Sequence, residues 1–152
     1  MSNSTYEQEL ESNGYLICTT VGRSMYPFLR SGKDLFRIEA KKGQRLRKFD
    51  AVLYRRDNGR YVLHRIVKVH PDSYTLCGDN TWQLECGIRD DQILGVLTAV
   101  IRKGETIDVT CRKYRLLIRL WWMLYPPRAG YIWLRGKMWK LWEKIKSIMN
   151  LR

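Results

Sequence analysis

Three short segments of the chain carry the residue types used in nucleophilic acyl transfer. Ser24 stands between the turn residue Gly22 and the stiffening Pro27. His64 lies inside an apolar stretch, and Asp79 belongs to a Gly-Asp-Asn turn. In acyl transfer an imidazole takes the serine proton, and a carboxylate orients the ring and stabilises the imidazolium. Ser24, His64 and Asp79 are therefore candidates for nucleophile, general base and third catalytic residue.

Each of these residues, taken singly, also has an ordinary structural explanation as a loop serine, a strand histidine or a turn aspartate. Their chemistry nevertheless fits together, because an unshifted imidazole, with a pKa of about 6.5, is largely neutral near neutral pH and can accept a proton. The backbone N–H of Ser24 could help to stabilise the oxyanion. Gly22 offers no side-chain hydroxyl there, so a second donor must come from backbone or from another loop.

The elements that must position these residues are predicted to be β-strands. Between residues 15 and 110 the apolar stretches are short, rich in β-branched and aromatic residues, and separated by turn signals such as Asp57-Asn58-Gly59. Strands are predicted at residues 15–21, 35–39, 51–55, 61–69, 73–77, 93–101 and 106–109. A helix is predicted near residues 5–12, with Ser4 as its cap. The body should therefore be mainly antiparallel and built of hairpins.

Five short motifs follow one another in a recognisable order. They are Gly-x-Ser-Met-x-Pro-x-Leu at residues 22–29, Asp-Ala-Val-Leu-Tyr at 50–54, Val-Leu-His-Arg-Ile-Val at 62–67, Gly-Asp-Asn at 78–80 and Leu-Gly-Val at 94–96. This set resembles the type I signal peptidases, and specifically the archaeal and endoplasmic-reticulum-type branch in which histidine replaces the catalytic lysine. The resemblance spans roughly residues 20–100.

The resemblance implies a mainly β, antiparallel fold of the kind shared by signal peptidases and self-cleaving repressors. It implies a serine endopeptidase that cleaves a leader or signal-like peptide, with Ser24 as nucleophile, His64 as general base and Asp79 as third member. The self-cleaving SOS and phage repressors use lysine where this chain has His64, and they need an internal scissile bond that the sequence does not identify. A repressor-like autoprotease remains an alternative.

The sequence departs from the family pattern in three places, one of which is Phe49, where a glycine is common before Asp50. The segment after Leu29 reads Arg30-Ser31-Gly32-Lys33-Asp34, so the expected acid is displaced by one position. Signal peptidases ordinarily carry an N-terminal membrane helix, whereas no window before residue 112 approaches the roughly 20 apolar residues that span a bilayer. We therefore expect the catalytic domain without the usual anchor.

Charge divides the 152 residues into two regions. The chain has 28 Lys and Arg against 15 Asp and Glu, a net charge of +13, but residues 112–152 hold 11 of the basic residues and only Glu143 as an acid. Five of the six tryptophans lie there too. We predict a peptidase-like domain at residues 1–111 and a basic, tryptophan-rich helical tail at residues 112–152.

The tail reads as two amphipathic helices joined by Pro126-Pro127. Trp and Leu on one side with Lys or Arg on another suit the surface of an anionic membrane or a membrane protein. The alternatives are packing on the β body and, least favoured, nucleic-acid binding, which would make the chain a non-catalytic binding module.

Neither a metal nor a cofactor is expected. The four cysteines form no Cys-x-x-Cys pair, and only two histidines are available, so a zinc site is improbable. The polar, acidic N-terminus lacks the features of a secretory signal. We therefore expect reduced thiols and a cytoplasmic location. The basic tail suggests, in addition, peripheral attachment to the inner face of the membrane.

Overall fold

A computed structural model describes residues 6–149, which form mainly an antiparallel β-sheet followed by two helices. The strands are β1 (Tyr15–Thr19), β2 (Asp34–Ala40), β3 (Ala51–Arg55), β4 (Tyr61–Val69), β5 (Ser73–Cys77), β6 (Glu85–Arg89), β7 (Ile93–Arg102) and β8 (Glu105–Asp108). The helices are α1 (Tyr6–Asn13), α2 (Arg112–Met123) and α3 (Tyr125–Met149), and a short 3₁₀ helix spans Asp90–Gln92. The predicted mainly antiparallel β architecture with a C-terminal helical extension is confirmed.

The sheet has the strand order β1-β2-β7-β3-β4-β5-β6, and β8 pairs with the second half of β7. Every neighbouring pair is antiparallel. The register sets Val52 of β3 opposite His64 of β4, and Arg65 of β4 opposite Cys77 of β5. The Gly-Asp-Asn turn directly follows Cys77, so this pairing brings the turn beside the histidine-bearing strand.

Both faces of the sheet carry buried apolar side chains. Alternate residues of β3 enter different clusters: Leu53 packs in one with Phe36 and Leu97, whereas Tyr54 packs in the other with Tyr74. Successive side chains of a strand point to opposite faces, which explains why β3 is apolar at four consecutive positions rather than alternating. The central strands are thus held firmly from both sides.

The predicted strands at residues 51–55, 61–69 and 73–77 match β3, β4 and β5, and the others differ by one or two residues at an end. The strand β6 was not predicted. It reads Glu-Cys-Gly-Ile-Arg, has Ile88 as its only buried residue, and holds Gly87 at a φ of 75°. Such a segment lacks the alternating apolar pattern by which strands are recognised. Of the predicted N-terminal helix, Ser4 and Thr5 lie outside the described residues.

The two prolines of the tail do not form the predicted turn between helices. The helix break lies at Leu124, two residues before Pro126, and both Pro126 and Pro127 lie in the first turn of α3. A proline is tolerated there because the first N–H groups of a helix have no intrahelical acceptor. Helix α3 therefore begins at Tyr125, and it extends to Met149.

The predicted boundary at residues 111/112 falls between β8 and α2, but α2 packs on the sheet domain. Ile118 is fully buried, and Tyr114 and Trp121 each meet the ring of Phe28 edge-on. Helix α3 contains no buried residue. No helix within residues 6–149 is long and apolar enough to cross a bilayer.

Candidate active site

Ser24 lies partly exposed in a loop whose following residues are anchored in the core. Met25, Phe28 and Leu29 are buried, and the N–H of Leu29 donates to the carbonyl of Met25 at 2.9 Å. Gly22 precedes the serine at a φ of 95°, a backbone conformation that favours glycine. The turn at Gly22 and the buried side chains after Ser24 fix the backbone of the loop on both sides of the serine.

An ion-pair cluster closes the other end of the same loop. The buried carboxylate of Asp34 accepts hydrogen bonds from Arg30 Nη2 at 2.7 Å, Arg102 Nη2 at 2.8 Å and the Arg30 backbone N–H at 2.9 Å. Burial raises the pKa of Asp34, but the bonds from Arg102 and Arg30 outweigh it and hold the pKa far below its usual value. The displaced acid of this sequence therefore ties the Ser24 loop to β7.

His64 lies in the middle of β4 and is only 7% exposed. Burial lowers the pKa of its imidazole, and the neighbouring carboxylate of Glu85 opposes this shift without cancelling it. The ring is consequently neutral at neutral pH, which is the protonation state that a general base requires.

Gly78 brings the serine and the histidine together. A Cβ built on this glycine would lie 3.0 Å from His64 Nε2 and 3.1 Å from Ser24 Cβ. His64 Nε2 and Ser24 Cβ therefore approach the same point and lie no more than about 6 Å apart. Asn80, two residues after Gly78 in the same turn, donates its N–H to the Ser24 carbonyl at 2.7 Å and its side-chain amide to the Arg23 carbonyl at 3.2 Å. The turn thus fixes the serine loop against the histidine strand.

Glu85 supplies the carboxylate that faces the histidine ring. Its Oε1 lies 2.9 Å from His64 Nδ1, although the two groups are not aligned as a hydrogen bond. Arg56 holds the same carboxylate through two bonds, Nη2 to Oε1 at 2.6 Å and Nε to Oε2 at 2.7 Å. Burial raises the pKa of Glu85, but the two hydrogen bonds from Arg56 and its positive charge outweigh burial and lower the pKa below its usual value. Glu85 is therefore an anion at neutral pH.

Asp79, the predicted third catalytic residue, is placed differently. Its fully buried carboxylate pairs with Arg65 through two bonds, Arg65 Nε to Oδ1 at 2.8 Å and Arg65 Nη2 to Oδ2 at 2.7 Å. Arg65 also donates to the carbonyl of Phe49 at 2.8 Å. The pair therefore fastens the Gly-Asp-Asn turn to β4, and this structure gives the ring of His64 a contact with Glu85 instead.

The first tail helix completes the surroundings of Asp79. Trp122 Nε1 donates to Asp79 Oδ1 and Trp121 Nε1 donates to the Asp79 carbonyl, each at 3.1 Å. The guanidinium of Arg128 lies 4.3 Å from the centre of the Trp121 ring. The sequence pattern predicted only an amphipathic helix here. It could not show that the Trp122 indole donates to Asp79, because these residues lie 43 positions apart in the chain and only the fold brings them together.

A cleft of about 540 Å³ lies beside the pair and contains both Ser24 and His64. Its walls come from the end of β1, the serine loop, β4 and the segment after the Gly-Asp-Asn turn. A second cavity, of about 400 Å³, lies near Arg65, Tyr114 and Ile118 and contains neither Ser24 nor His64. The first cleft is the one in which a bound chain could reach the serine.

No group of three or more His, Cys, Asp or Glu side chains within residues 6–149 is arranged to hold a metal ion. Cys18, Cys77, Cys86 and Cys111 are free thiols, and burial raises the pKa of Cys77. The chain matches no protein-family model, and no curated protein matches it significantly.

Proposed function

We propose that the protein is a serine endopeptidase of the signal-peptidase type, acting through Ser24 and His64. The observation that carries the proposal is the convergence of Ser24 Cβ and His64 Nε2 on Gly78. A serine and a neutral imidazole placed this way are the two components of an activated nucleophile. The order of the five sequence motifs and the antiparallel sheet that carries them support a fold of the signal-peptidase and repressor-peptidase kind.

In the acylation step, His64 Nε2 takes the proton from Ser24 Oγ as Oγ attacks the carbonyl carbon of the scissile peptide bond. The negative charge collects on the carbonyl oxygen, where the backbone N–H of Ser24 is a donor. When the tetrahedral intermediate collapses, the C–N bond breaks and the imidazolium gives its proton to the departing amine. Water, deprotonated by His64, then hydrolyses the acyl-enzyme and restores Ser24.

The anionic Glu85 stabilises the imidazolium that forms in this cycle. Hydrogen bonds of catalytic groups are often poorly aligned without substrate and tighten in the reacting complex. The 2.9 Å separation of Nδ1 and Oε1 is already short enough for such a bond once Nδ1–H points at the carboxylate. Asp79 contributes from the Gly-Asp-Asn turn, by holding in place the backbone that contacts the serine loop.

The substrate class that fits best is an extended leader or signal-like segment of a precursor. The cleft beside Ser24 is bordered by the edge strand β1, whose outer side has no strand partner in the sheet of residues 6–149. An extended peptide could pair with such an edge and pass its scissile bond across Ser24.

The test is a comparison of processed peptides in cells carrying wild type, Ser24→Ala or Ser31→Ala. Ser31 is a matched control because it lies in the same loop, and its hydroxyl only donates to the Thr20 carbonyl at 2.9 Å. We expect new N-termini, detected by mass spectrometry, in the wild type and in Ser31→Ala but not in Ser24→Ala.

The purified chain should then cleave peptides spanning the sites found, and Ser24→Ala should lose at least about 10³-fold in kcat/KM. Equal processing by wild type and Ser24→Ala would refute the proposal. Incubation of the intact wild-type chain, followed by its mass, distinguishes an autoprotease, since self-cleavage would replace the single mass by two fragments.

A further inference from the structure

Helix α3 presents an apolar face that nothing in residues 6–149 covers. Eight side chains, each three or four residues from another member of the set, lie on one side of the helix and make up this α3 apolar face: Tyr131, Leu134, Met138, Leu141, Trp142, Ile145, Ile148 and Met149. All are exposed, from 41% at Ile145 to 69% at Met149. At 1.5 Å per residue the face runs for about 27 Å along the helix. An uncovered apolar stripe of this length marks an interaction site.

Basic side chains border the α3 apolar face on both edges. At 3.6 residues per turn, Lys137 and Lys144 fall along one edge, and Arg135 and Lys146 fall along the other. Several of them lie over aromatic rings: Lys137 Nζ is 4.1 Å from the Trp133 ring centre, and Lys146 Nζ is 5.7 Å from that of Trp142. The cations therefore sit at the boundary between the apolar face and water.

Helix α2 adds a second exposed apolar surface. Tyr114, Ile118, Trp121 and Trp122 face the sheet domain, and the opposite side of the helix carries leucines and a methionine. Leu116, Leu117, Leu120, Met123 and Leu124 are all at least half exposed. The body-facing side of α2 is thus already occupied, whereas its outer side is available for binding.

From these features we infer that α3 lies in the plane of an anionic bilayer, with its apolar face toward the acyl chains and the outer leucines of α2 as a second contact. A helix with Leu, Ile, Met and one Trp on one face and Lys and Arg along its edges fits the interfacial region, where long basic side chains reach the head groups. Residues 112–152 carry 11 basic residues and one acid, so the charge complements anionic lipid. A nucleic acid would satisfy the cations but leave the eight apolar side chains in water.

This docking does not depend on the peptidase proposal, although it would set the cleft at a membrane surface. The test therefore uses the full chain with Ser24→Ala, so that proteolysis cannot affect the result. Binding is measured by flotation with vesicles of phosphatidylcholine alone and of phosphatidylcholine with phosphatidylglycerol, at low and high salt. Size-exclusion chromatography with light scattering and a DNA mobility shift are run in parallel.

We expect binding to the phosphatidylglycerol vesicles that weakens with salt, and little binding to phosphatidylcholine alone. Met138→Ser with Ile145→Ser should reduce the partition coefficient by about tenfold or more, because it removes two apolar side chains from the centre of the face. Replacing Lys137, Lys140, Lys144 and Lys146 by Gln should reduce it by about 100-fold. As a control, Trp139→Ser removes an exposed ring from outside the α3 apolar face and should change the partition coefficient by less than about threefold.

Far-UV circular dichroism confirms that each variant retains its helix. The inference is overturned if the chain does not float with anionic vesicles at low salt, or if the Met138 and Ile145 changes leave flotation unaltered. Dimers that the same two changes abolish, without vesicle binding, would assign the face to a second copy. DNA binding without vesicle binding would assign the charge to a nucleic acid.

Discussion

The ring of His64 faces Glu85, with Nδ1 lying 2.9 Å from the Oε1 atom of the carboxylate. The adjacent residue in β4, Arg65, faces Asp79 instead and binds both of its oxygens. Neighbouring residues of one strand point to opposite faces, so β4 gives each of these side chains its own acid. This division makes the functions of the two carboxylates separable by experiment.

Substitution of Glu85 by Gln should alter the pH dependence of peptide cleavage. The charge of Glu85 raises the pKa of His64, so its removal lowers that pKa below its already depressed value. The acidic limb of the pH profile, where kcat/KM rises as His64 loses its proton, should therefore move to lower pH. The plateau should fall by at least about tenfold, because the imidazolium formed in the transition state loses its counter-charge. The measurement is kcat/KM across pH with a cleaved peptide.

Arg56→Met should shift the pKa of His64 in the opposite direction. The charge of Arg56 lowers the pKa of His64, so its loss should move the acidic limb to higher pH. If the substitutions acted only through the structure, they would change the maximum value of kcat/KM. They would not shift the acidic limbs of the two variants in opposite directions. Identical profiles in both variants and wild type would show that Glu85 does not act on the ring.

Asp79→Asn should primarily destabilise the fold. Arg65 and Asp79 are 2% and 0% exposed, so loss of the carboxylate leaves a buried guanidinium unpaired. Breaking such a pair costs about 3–5 kcal/mol of unfolding free energy. Urea unfolding measures this loss, and Arg65→Met combined with Asp79→Asn should recover part of it. If Asp79→Asn keeps wild-type stability but moves the acidic limb to lower pH, then Asp79 is the partner of the ring.

Sequence reasoning could find the serine and the histidine because both lie in segments with strong local signals. Ser24 lies between Gly22 and Pro27, and His64 interrupts an apolar strand. It could not find Glu85, since β6 has no apolar alternation and its pairing with β5 contains a register shift. The acid in the Gly-Asp-Asn turn was the more visible candidate, but its orientation depends on Arg65 across the β4–β5 pair.

The helical tail shows the same limit. Its amphipathic pattern predicted two helices, but periodicity alone does not say which apolar face is covered. Ile118 and Tyr114 pack on the sheet domain, whereas Leu134 and Met138 remain exposed. The position of the helix break was also missed, because a proline pair fits both a turn and a first helical turn.

Gly78→Ala should impair catalysis with little effect on folding elsewhere. The new Cβ would lie 2.7 Å from the Ser24 carbonyl oxygen, closer than real Cβ contacts allow, and 3.0 Å from His64 Nε2, which is tighter than most. The serine loop or the turn must therefore shift, which changes the position of Ser24 relative to the ring. A displacement of about 1 Å between reacting groups costs roughly 100-fold in rate, so kcat/KM should fall by that order.

The matched control for this substitution is Gly136→Ala. Gly136 lies in α3, and a Cβ there meets no atom within 4 Å. Its kcat/KM should equal that of wild type. Wild-type activity in Gly78→Ala would show that Ser24 and His64 do not react across this gap.

Asp34→Asn should destabilise the protein in a pH-dependent way. Asp34 is almost fully buried, and its pKa in the fold lies far below the ordinary value of about 3.9. A depressed pKa contributes stability that is fully present above the ordinary pKa and is lost as the pH falls toward the folded one. At pH 7 the substitution should cost about 2–4 kcal/mol of unfolding free energy, since it leaves Arg30 and Arg102 without their anion.

The measurement is the urea midpoint of wild type and Asp34→Asn from pH 7 down to about pH 2.5, a range that crosses the ordinary aspartate pKa. The difference between them should stay constant down to about pH 4.5 and narrow below it, because the Asp34 carboxylate of the unfolded wild-type chain takes up a proton there and favours unfolding, whereas Asp34→Asn has no such group. Glu39→Gln is the control, since Glu39 pairs with Arg37 at 3.4 Å on the surface and should contribute less than about 1 kcal/mol. A difference that persists unchanged at the lowest pH would show that the Asp34 carboxylate is not held as an anion by its two arginines.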